Sequence, residues 1–341
     1  MIQVGPQSAS AQPGPACYGL GNSRPTVTDA NLVLGRINAE RPIGDKLQCL
    51  DKVVAEAAIL THVGVPLGLN TTAAAAAIIR VANGLMASAI RLVSIERGHD
   101  PRKFVAMTFG GGGALHAGAL LQEVGLAKAL VPRYPGVISA LGCAIADMRH
   151  DTVVTVNRLL SELDLADMKA RMEAMAYEGG DLVGVGAEYS FAADMSYQGQ
   201  SHTVDVKLTG GPDSDAAALQ SAFEARYRSV YGRLLDGIPI RLLNLRLTAL
   251  APRAAFDLAA LAPPAHANLE DARAGMRQVW SDGDWCETAI YDRLALPAGA
   301  IVPGPAILEQ PDGTIFVDSG LVGEVDGFGN IIMGQSNDKN R

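Results

Sequence analysis

Aromatic residues make up only 5% of the chain, and no basic run or basic–aromatic stripe occurs. Nucleic-acid binding leaves that footprint, so nucleic acid is not an expected partner. The formal charge of −8 speaks for solubility and says little about substrate. The four cysteines, Cys17, Cys49, Cys143 and Cys286, lie far apart with no CxxC pair. That spacing argues against a disulfide framework or a zinc knuckle and fits a reducing, cytoplasmic compartment. No uninterrupted apolar run is long enough for a membrane span; the Ala-rich stretch from Thr71 to Ala82 contains Arg80 and meets Asn83. The opening MIQVGPQSAS has no basic region leading into an apolar core, so it does not read as a signal peptide. Neither a GxGxxG fingerprint nor a Walker A loop is present, and no repeat of solenoid length recurs.

Apolar periodicity is what the chain does have. From Thr72 to about Arg97, Ile78, Ile79, Ala82, Leu85, Met86, Ala89, Ile90 and Val93 recur at spacings of three and four. They line one face of a core helix, with Thr71 or Thr72 as cap and Gly98 as stop. Lys103–Phe109 is an apolar run of strand length, followed at once by Gly110–Gly113. A second helix is expected from Ala114 to Gly125, a strand over Ala127–Pro132, a turn at Pro135-Gly136, and a helix from Ser139 to Met148. Strand, glycine turn, helix, strand is a βαβ-type unit. Beyond Asp151 the texture changes. Residues 151–157 and 188–208 read as β, 161–177 and 213–232 as helix, and 252–268 as a Pro/Ala-rich connection. Val279–Met333 reads as short strands broken by Pro-Gly, Asp-Gly and Gly-Asn turns. The expected division is an α/β lobe over 1–150 and an α+β, β-rich module over 151–341.

The sharpest chemical signal is Phe109-Gly110-Gly111-Gly112-Gly113-Ala114-Leu115-His116-Ala117. Consecutive glycines between a strand and a helix let backbone approach a ligand closely, and the helix start adds N–H donors that favour phosphate. Close strand–helix packing that needs no ligand produces the same pattern. His116, in the first turn, is a candidate ligand contact, metal ligand or proton carrier, or a hydrogen-bonded structural residue. Asp29, in Thr28-Asp29-Ala30-Asn31, is a candidate to hold a metal-bound water or a substrate amide, or simply an N-cap. Cys17, in a loop, has no His or acid near it in sequence to make it a nucleophile. His62 and His150 lack ligand-like spacing and read as structural. Tyr197–Gln200 reads as a β-turn.

Three segments together resemble one family. They are GPQSASAQPGPACYGLGNSRPTVTDANLVLGRI, FGGGGALHAGALLQEVGLAKALVPRYPGVISALGCAIADMRHD and LPAGAIVPGPAILEQPDGTIFV. They look like the hydantoinase A/5-oxoprolinase/ketone carboxylase subunit family, over nearly the whole chain. The resemblance implies a partial actin/sugar-kinase/Hsp70-like ATPase lobe followed by an α+β domain. It implies ATP-dependent opening of hydantoin-type or 5-oxoproline-type rings, with ATP and Mg2+ as cofactors and phosphorylation of an amide or enol oxygen as the chemistry. ATP-dependent ketone carboxylation is the alternative within the family, and a non-catalytic fragment that binds a partner subunit is the alternative outside it. In this light Gly110, Gly111, Gly112 and Gly113 become candidate cofactor contacts, and Asp29 and His116 candidate catalytic residues. No metal ligand can be named. The family usually has Glu, Gly and Asp where Gln7, Ser10 and Asn31 stand, and FGGAGPLHA where Gly112 and Ala114 fall. Loss of two carboxylates weakens a metal or general-base role near Asp29; the glycine-loop changes keep small residues. The family's GxDxGGTFTD-like and DVGGTSTD-like phosphate loops are not in this sequence. The expected partners are therefore a chain supplying that front half, a hydantoinase B-type subunit and a small cyclic amide.

Overall fold

The computed structural model describes residues 2–44, 47–263 and 268–335; the end of the Pro/Ala-rich connection, at 264–267, lies outside them. The chain divides into two compact units, Met1–Gly142 with Asp257–Arg341, and Cys143–Phe256.

The first unit begins with α1 (Val27–Val33) and α2 (Lys52–Ile59), the latter running through a π turn into α3 (Val65–Leu67). α4 (Thr71–Val93) follows, then β1 (Val105–Met107), α5 (Ala117–Val124), β2 (Lys128–Val131) and α6 (Ile138–Ile145). β1 and β2 pair in parallel across α5, the expected βαβ unit. Asn70 rather than a threonine caps α4, its side chain accepting from Ala73 N–H at 2.8 Å. The stripe Ala74, Ala75, Ile78, Ile79, Ala82 and Ala87 is buried, but Leu85 and Val93 of the expected face are exposed. Thr71–Arg97 is long and apolar enough to cross a membrane by length and composition alone. Its buried stripe, however, packs on α1, α2 and α5 as a core helix does.

The second unit holds β3 (Met148–Leu159), α7 (Leu165–Val183), β4 (Glu188–Tyr197), β5 (Val204–Lys207), α8 (Ala216–Tyr231) and β6 (Ile240–Ala251). Its antiparallel sheet runs β3-β6-β4-β5. Met168, Met172 and Met175 of α7 and Leu219 and Phe223 of α8 cover the face carrying Leu245, Leu247 and Ala249. Alternate residues of β6 are buried, which is the pattern of a sheet with one covered face.

The chain then returns to the first unit with β7 (Arg273–Ser281), β8 (Asp284–Asp292), β9 (Ile301–Pro303), β10 (Ala306–Gln310), β11 (Gly313–Val317), β12 (Leu321–Val325) and β13 (Ile331–Gln335). The linear division at 150 therefore differs from the compact units: residues from 257 onward fold with 1–142. β13 sits between β2 and β12 in a five-stranded sheet, β1-β2-β13-β12-β9. A second sheet runs β11-β10-β8-β7; β10 and β11 are buried on both faces, whereas most of β7 is exposed. Leu308, Ile315 and Val317 join the core around α5 and the first sheet, whereas Ile307, Phe316 and Ile290 join the core of α1, α2 and α4. Period-two alternation thus feeds two cores from one sheet, and β11, GTIFV, is buried at every residue for that reason.

Candidate functional site

Asp29 is fully buried at position N3 of α1, whose N-cap is Thr26. Its carboxylate accepts from Thr26 N–H at 2.7 Å, the Thr26 hydroxyl at 2.8 Å, Cys17 N–H at 2.8 Å and Ala16 N–H at 3.1 Å. Four donors meet the carboxylate; the Thr26 N–H is one half of a reciprocal capping box, whose other half is Asp29 N–H donating to the Thr26 hydroxyl at 3.3 Å. These contacts tie the Ala16–Tyr18 turn to α1, the capping alternative for Asp29. Burial and the neighbouring Asp29 push the Cys17 thiol far up, so it is not a nucleophile at neutral pH. An open cleft of 930 Å³ lies alongside, lined by Gln7, Ser10, Gln12, Asn22, Arg24 and Thr28 among others; it includes neither the glycine loop nor His116.

The glycine loop follows β1. Gly110 has φ +83°, and its N–H donates to Pro135 O at 2.7 Å. Gly113–Leu115 forms a 3₁₀ turn, so α5 starts at Ala117 with His116 as N-cap, three residues later than the sequence pattern indicated. Among the described residues, the N–H groups of Gly111, Gly112 and Gly113 have no protein acceptor. A Cβ at Gly110 or Gly112 would meet nothing within 4 Å, so open space adjoins the loop. Successive backbone N–H groups without a protein acceptor can form a nest for an anion. Gly136 supports the loop from behind: its N–H donates to Asp312 Oδ2 at 2.8 Å, and a Cβ there would strike Asp312 O.

His116 is buried, with Nδ1 2.6 Å from Asn83 Oδ1. Asn83 Oδ1 can only accept, so Nδ1 carries the proton. Burial first, then the Arg36 guanidinium, holds the imidazole down at about 4. That shift favours the neutral imidazole at physiological pH, and the Nδ1 contact ties the start of α5 to α4. Asn83 also lines a groove of 440 Å³ between α4 and α5.

Two charged residues the sequence did not single out complete this polar cluster. Arg36 lies over the Phe316 ring, 4.3 Å from its centroid, with an unpartnered buried Nε. Asp318 lies against Gly118 in the first turn of α5, and its buried Oδ2 lacks a partner among the described residues. A Cβ at Gly118 would collide with that carboxylate, so only glycine admits Asp318 so close. Positions 36, 83, 116 and 318 share no local motif; only the fold gathers them. Among the described residues, no three His, Cys, Asp or Glu side chains converge on a metal position.

Burial raises Asp318 to about 6, offset in part by Arg36. A carboxyl raised in the folded state loses stability as pH climbs from about 4 to about 6, because the unfolded chain ionises first. Asp318→Asn should therefore equal or trail the wild type below pH 4 and gain on it across that window, by up to about 2–3 kcal/mol. Urea unfolding at pH 4, 5 and 7 reads the difference; a gap that does not change with pH would refute the assignment.

Two family models match the chain: Hydantoinase/oxoprolinase over residues 1–152, and Hydantoinase/oxoprolinase C-terminal domain over 147–332. An uncharacterized protein of Methanocaldococcus jannaschii is 36% identical over 330 residues, 96% of this chain and 47% of that protein. Caprolactamase subunit alpha of Pseudomonas jessenii is 33% identical over 333 residues, 94% of this chain and 48% of that one. The nucleotide-free structure of acetone carboxylase superposes with a TM-score of 0.81 over 98% of this chain and 50% of that one; at 24% identity it shows the fold alone. The chain thus spans about half the length of the curated relatives it matches. The expected fold class, an α/β ATPase-like lobe of the actin/sugar-kinase/Hsp70 kind with an α+β module, stands. With the second of the two family models alone covering more than half of its residues, this chain belongs to the hydantoinase/oxoprolinase family.

Proposed function

We propose that this chain forms part of an ATP-dependent enzyme that opens cyclic amides, with the Gly110–Gly113 loop as one wall of its nucleotide site. The observation that carries the reading is the row of N–H groups at Gly111, Gly112 and Gly113 that have no acceptor among the described residues, before α5 and with open space beside Gly112. The loop carries no side chain and no acid, which suits the oxygens of a phosphate chain or the edge of a purine. ATP, when bound, supplies a phosphoryl group that turns an amide oxygen into a good leaving group. This chain's residues bind and orient. Gly136 and Pro135 brace the loop, Asn83 and His116 fix the start of α5, and Asp29 secures the turn before α1. Magnesium, when present, would come with the phosphates of ATP. The named relatives include subunits of larger enzymes, and the reading accordingly includes a hydantoinase B-type partner and a segment corresponding to the rest of the relatives' length.

The assembled enzyme should release phosphate from ATP faster when hydantoin, 5-oxoproline or caprolactam is added, with the ring-opened acid appearing in step. Phosphate assays and mass spectrometry of the product read both. Stimulation by bicarbonate plus a ketone, and by none of the three cyclic amides, would transfer the chain to the carboxylases. Absence of any nucleotide binding would leave it a structural subunit.

A further inference from the structure

Two arginines of the first unit are buried without an ion-pair partner. Arg293 opens the 3₁₀ turn Arg293–Ala295 after β8 and is 0% exposed; Arg133 follows β2 and is 7% exposed. Both reach Gly329, in the turn between β12 and β13. Arg293 Nη2 donates to Gly329 O, and a Cβ at Gly329 would strike Arg133 Nη1. Arg133 also donates from Nη2 to Leu294 O and from Nε to the Tyr134 hydroxyl, each at 3.4 Å. Arg293 Nε, Arg293 Nη1 and Arg133 Nη1 remain, buried and with no acceptor among the described residues.

Among the described residues, no carboxylate forms a salt bridge with either guanidinium. The acids whose charge reaches Arg293 are Asp326 and Asp312, and both are engaged elsewhere. Asp326 accepts from Phe328 N–H at 2.9 Å, Asn330 N–H at 2.8 Å and Asn330 Nδ2 at 2.9 Å. Asp312 accepts from Gly136 N–H at 2.8 Å and from Gln310 Nε2. Arginine keeps its proton in proteins, so two like charges face each other in a dry interior. A buried charge needs a counter-charge and acceptors for its N–H groups. Water would supply acceptors and leave the charges unopposed. Gln310 Oε1, buried and unpartnered, gives an ordered water beside the anion something to donate to.

We propose that a small monovalent anion, a halide or one of formate size, binds between Arg133 and Arg293 beneath the β12–β13 turn. Full burial of Arg293 and the close approach of Gly329 to Arg133 suit a small ion rather than a nucleotide. The site is wired to the glycine loop. Gln310 Nε2 donates to Arg133 O at 3.1 Å and to Asp312, and Asp312 holds Gly136 behind the loop. An anion here would steady that brace, whichever reaction the enzyme performs.

The test is thermal melting of the full chain at fixed ionic strength, with sodium gluconate replaced stepwise by sodium chloride or sodium formate. At least one of the two should raise the melting temperature along a saturating curve, by about 2–4 °C once the anion exceeds its dissociation constant several-fold. Arg133→Met removes one guanidinium and keeps an unbranched stem, and it should flatten the curve. Where that variant does not fold, bromide gives the deciding reading on the unaltered chain. Crystals grown in sodium bromide should show an anomalous peak within about 3.5 Å of Arg133 Nη1 and of Arg293 Nη1 or Nε. A melting temperature indifferent to both anions overturns the inference, as does a rise that Arg133→Met leaves intact. So does an absent bromide peak. A bromide peak without any rise in melting temperature marks an adventitious ion only and overturns it as well.

Discussion

Gly112→Asp should sharply weaken ATP binding by the assembled enzyme while leaving its melting temperature where it was. Gly112 sits at φ −105° and ψ −16°, a conformation open to any L residue. A Cβ there meets no atom within 4 Å. The substitution therefore places a carboxylate beside three free N–H groups without straining the backbone or crowding a neighbour. A negative charge in a nest that receives phosphate opposes the ligand by direct repulsion and occupies its space. A loss of roughly 100-fold in affinity, about 3 kcal/mol, is the expected scale. Gly112→Ala is the control; it adds bulk without charge and should lose far less. Calorimetric titration with ATP against thermal melting separates the effects. An Asp variant that binds ATP like the parent removes the loop from the nucleotide site. A matching fall in melting temperature would make the glycine structural.

Gly35→Ala should be among the most destabilising single-methyl changes in the first unit, costing roughly 3–5 kcal/mol. Gly35 ends α1 in a Schellman motif: its N–H donates to Leu32 O at 3.0 Å, and Arg36 N–H donates to Asn31 O at 2.9 Å. The motif requires φ +77°, unfavourable for alanine. The second penalty is tertiary. A Cβ at Gly35 would collide with the backbone carbonyl of Gln278 in β7, and Trp280 N–H donates to Leu34 O alongside it. Backbone on both sides leaves no flexible side chain to move aside. Gly98→Ala isolates the conformational part, since Gly98 has φ +80° and nothing within 4 Å; about 1 kcal/mol is expected there. A drop for Gly35→Ala no larger than for Gly98→Ala would show that α1 and β7 are not held as described. Urea midpoints of the two variants decide it.

The two glycines also show how differently sequence and structure speak. Gly112 stands in a run that marks itself. Four consecutive glycines between an apolar strand and an apolar helix need no partner to be noticed. Gly35 looks like an ordinary helix stop, and its contact with Gln278 spans 243 positions along the chain. The same holds for the polar cluster. His116 was legible because it follows the glycine run, whereas Asn83 read as one more residue on an apolar helix. Arg36 and Asp318 carried no signal at all. Asp29 was legible as a capping residue, but its grip on the Ala16–Tyr18 turn was not; a carboxylate with four donors and one with none look alike in sequence.

By itself, the sequence determined the family, the βαβ unit around the glycine loop, the long core helix and the alternating strands, because helix periodicity, strand periodicity and glycine runs are local properties. Only the tertiary structure decided that residues from 257 onward rejoin the first 142, that β13 enters the sheet beside β2, and that β1 lies at the outer edge of that sheet. It also decided that Asp29 grips the Ala16–Tyr18 turn and that His116 meets Asn83. Strand pairing, burial and the electrostatics of buried groups are set by which distant segments come together, and no local pattern encodes the partner.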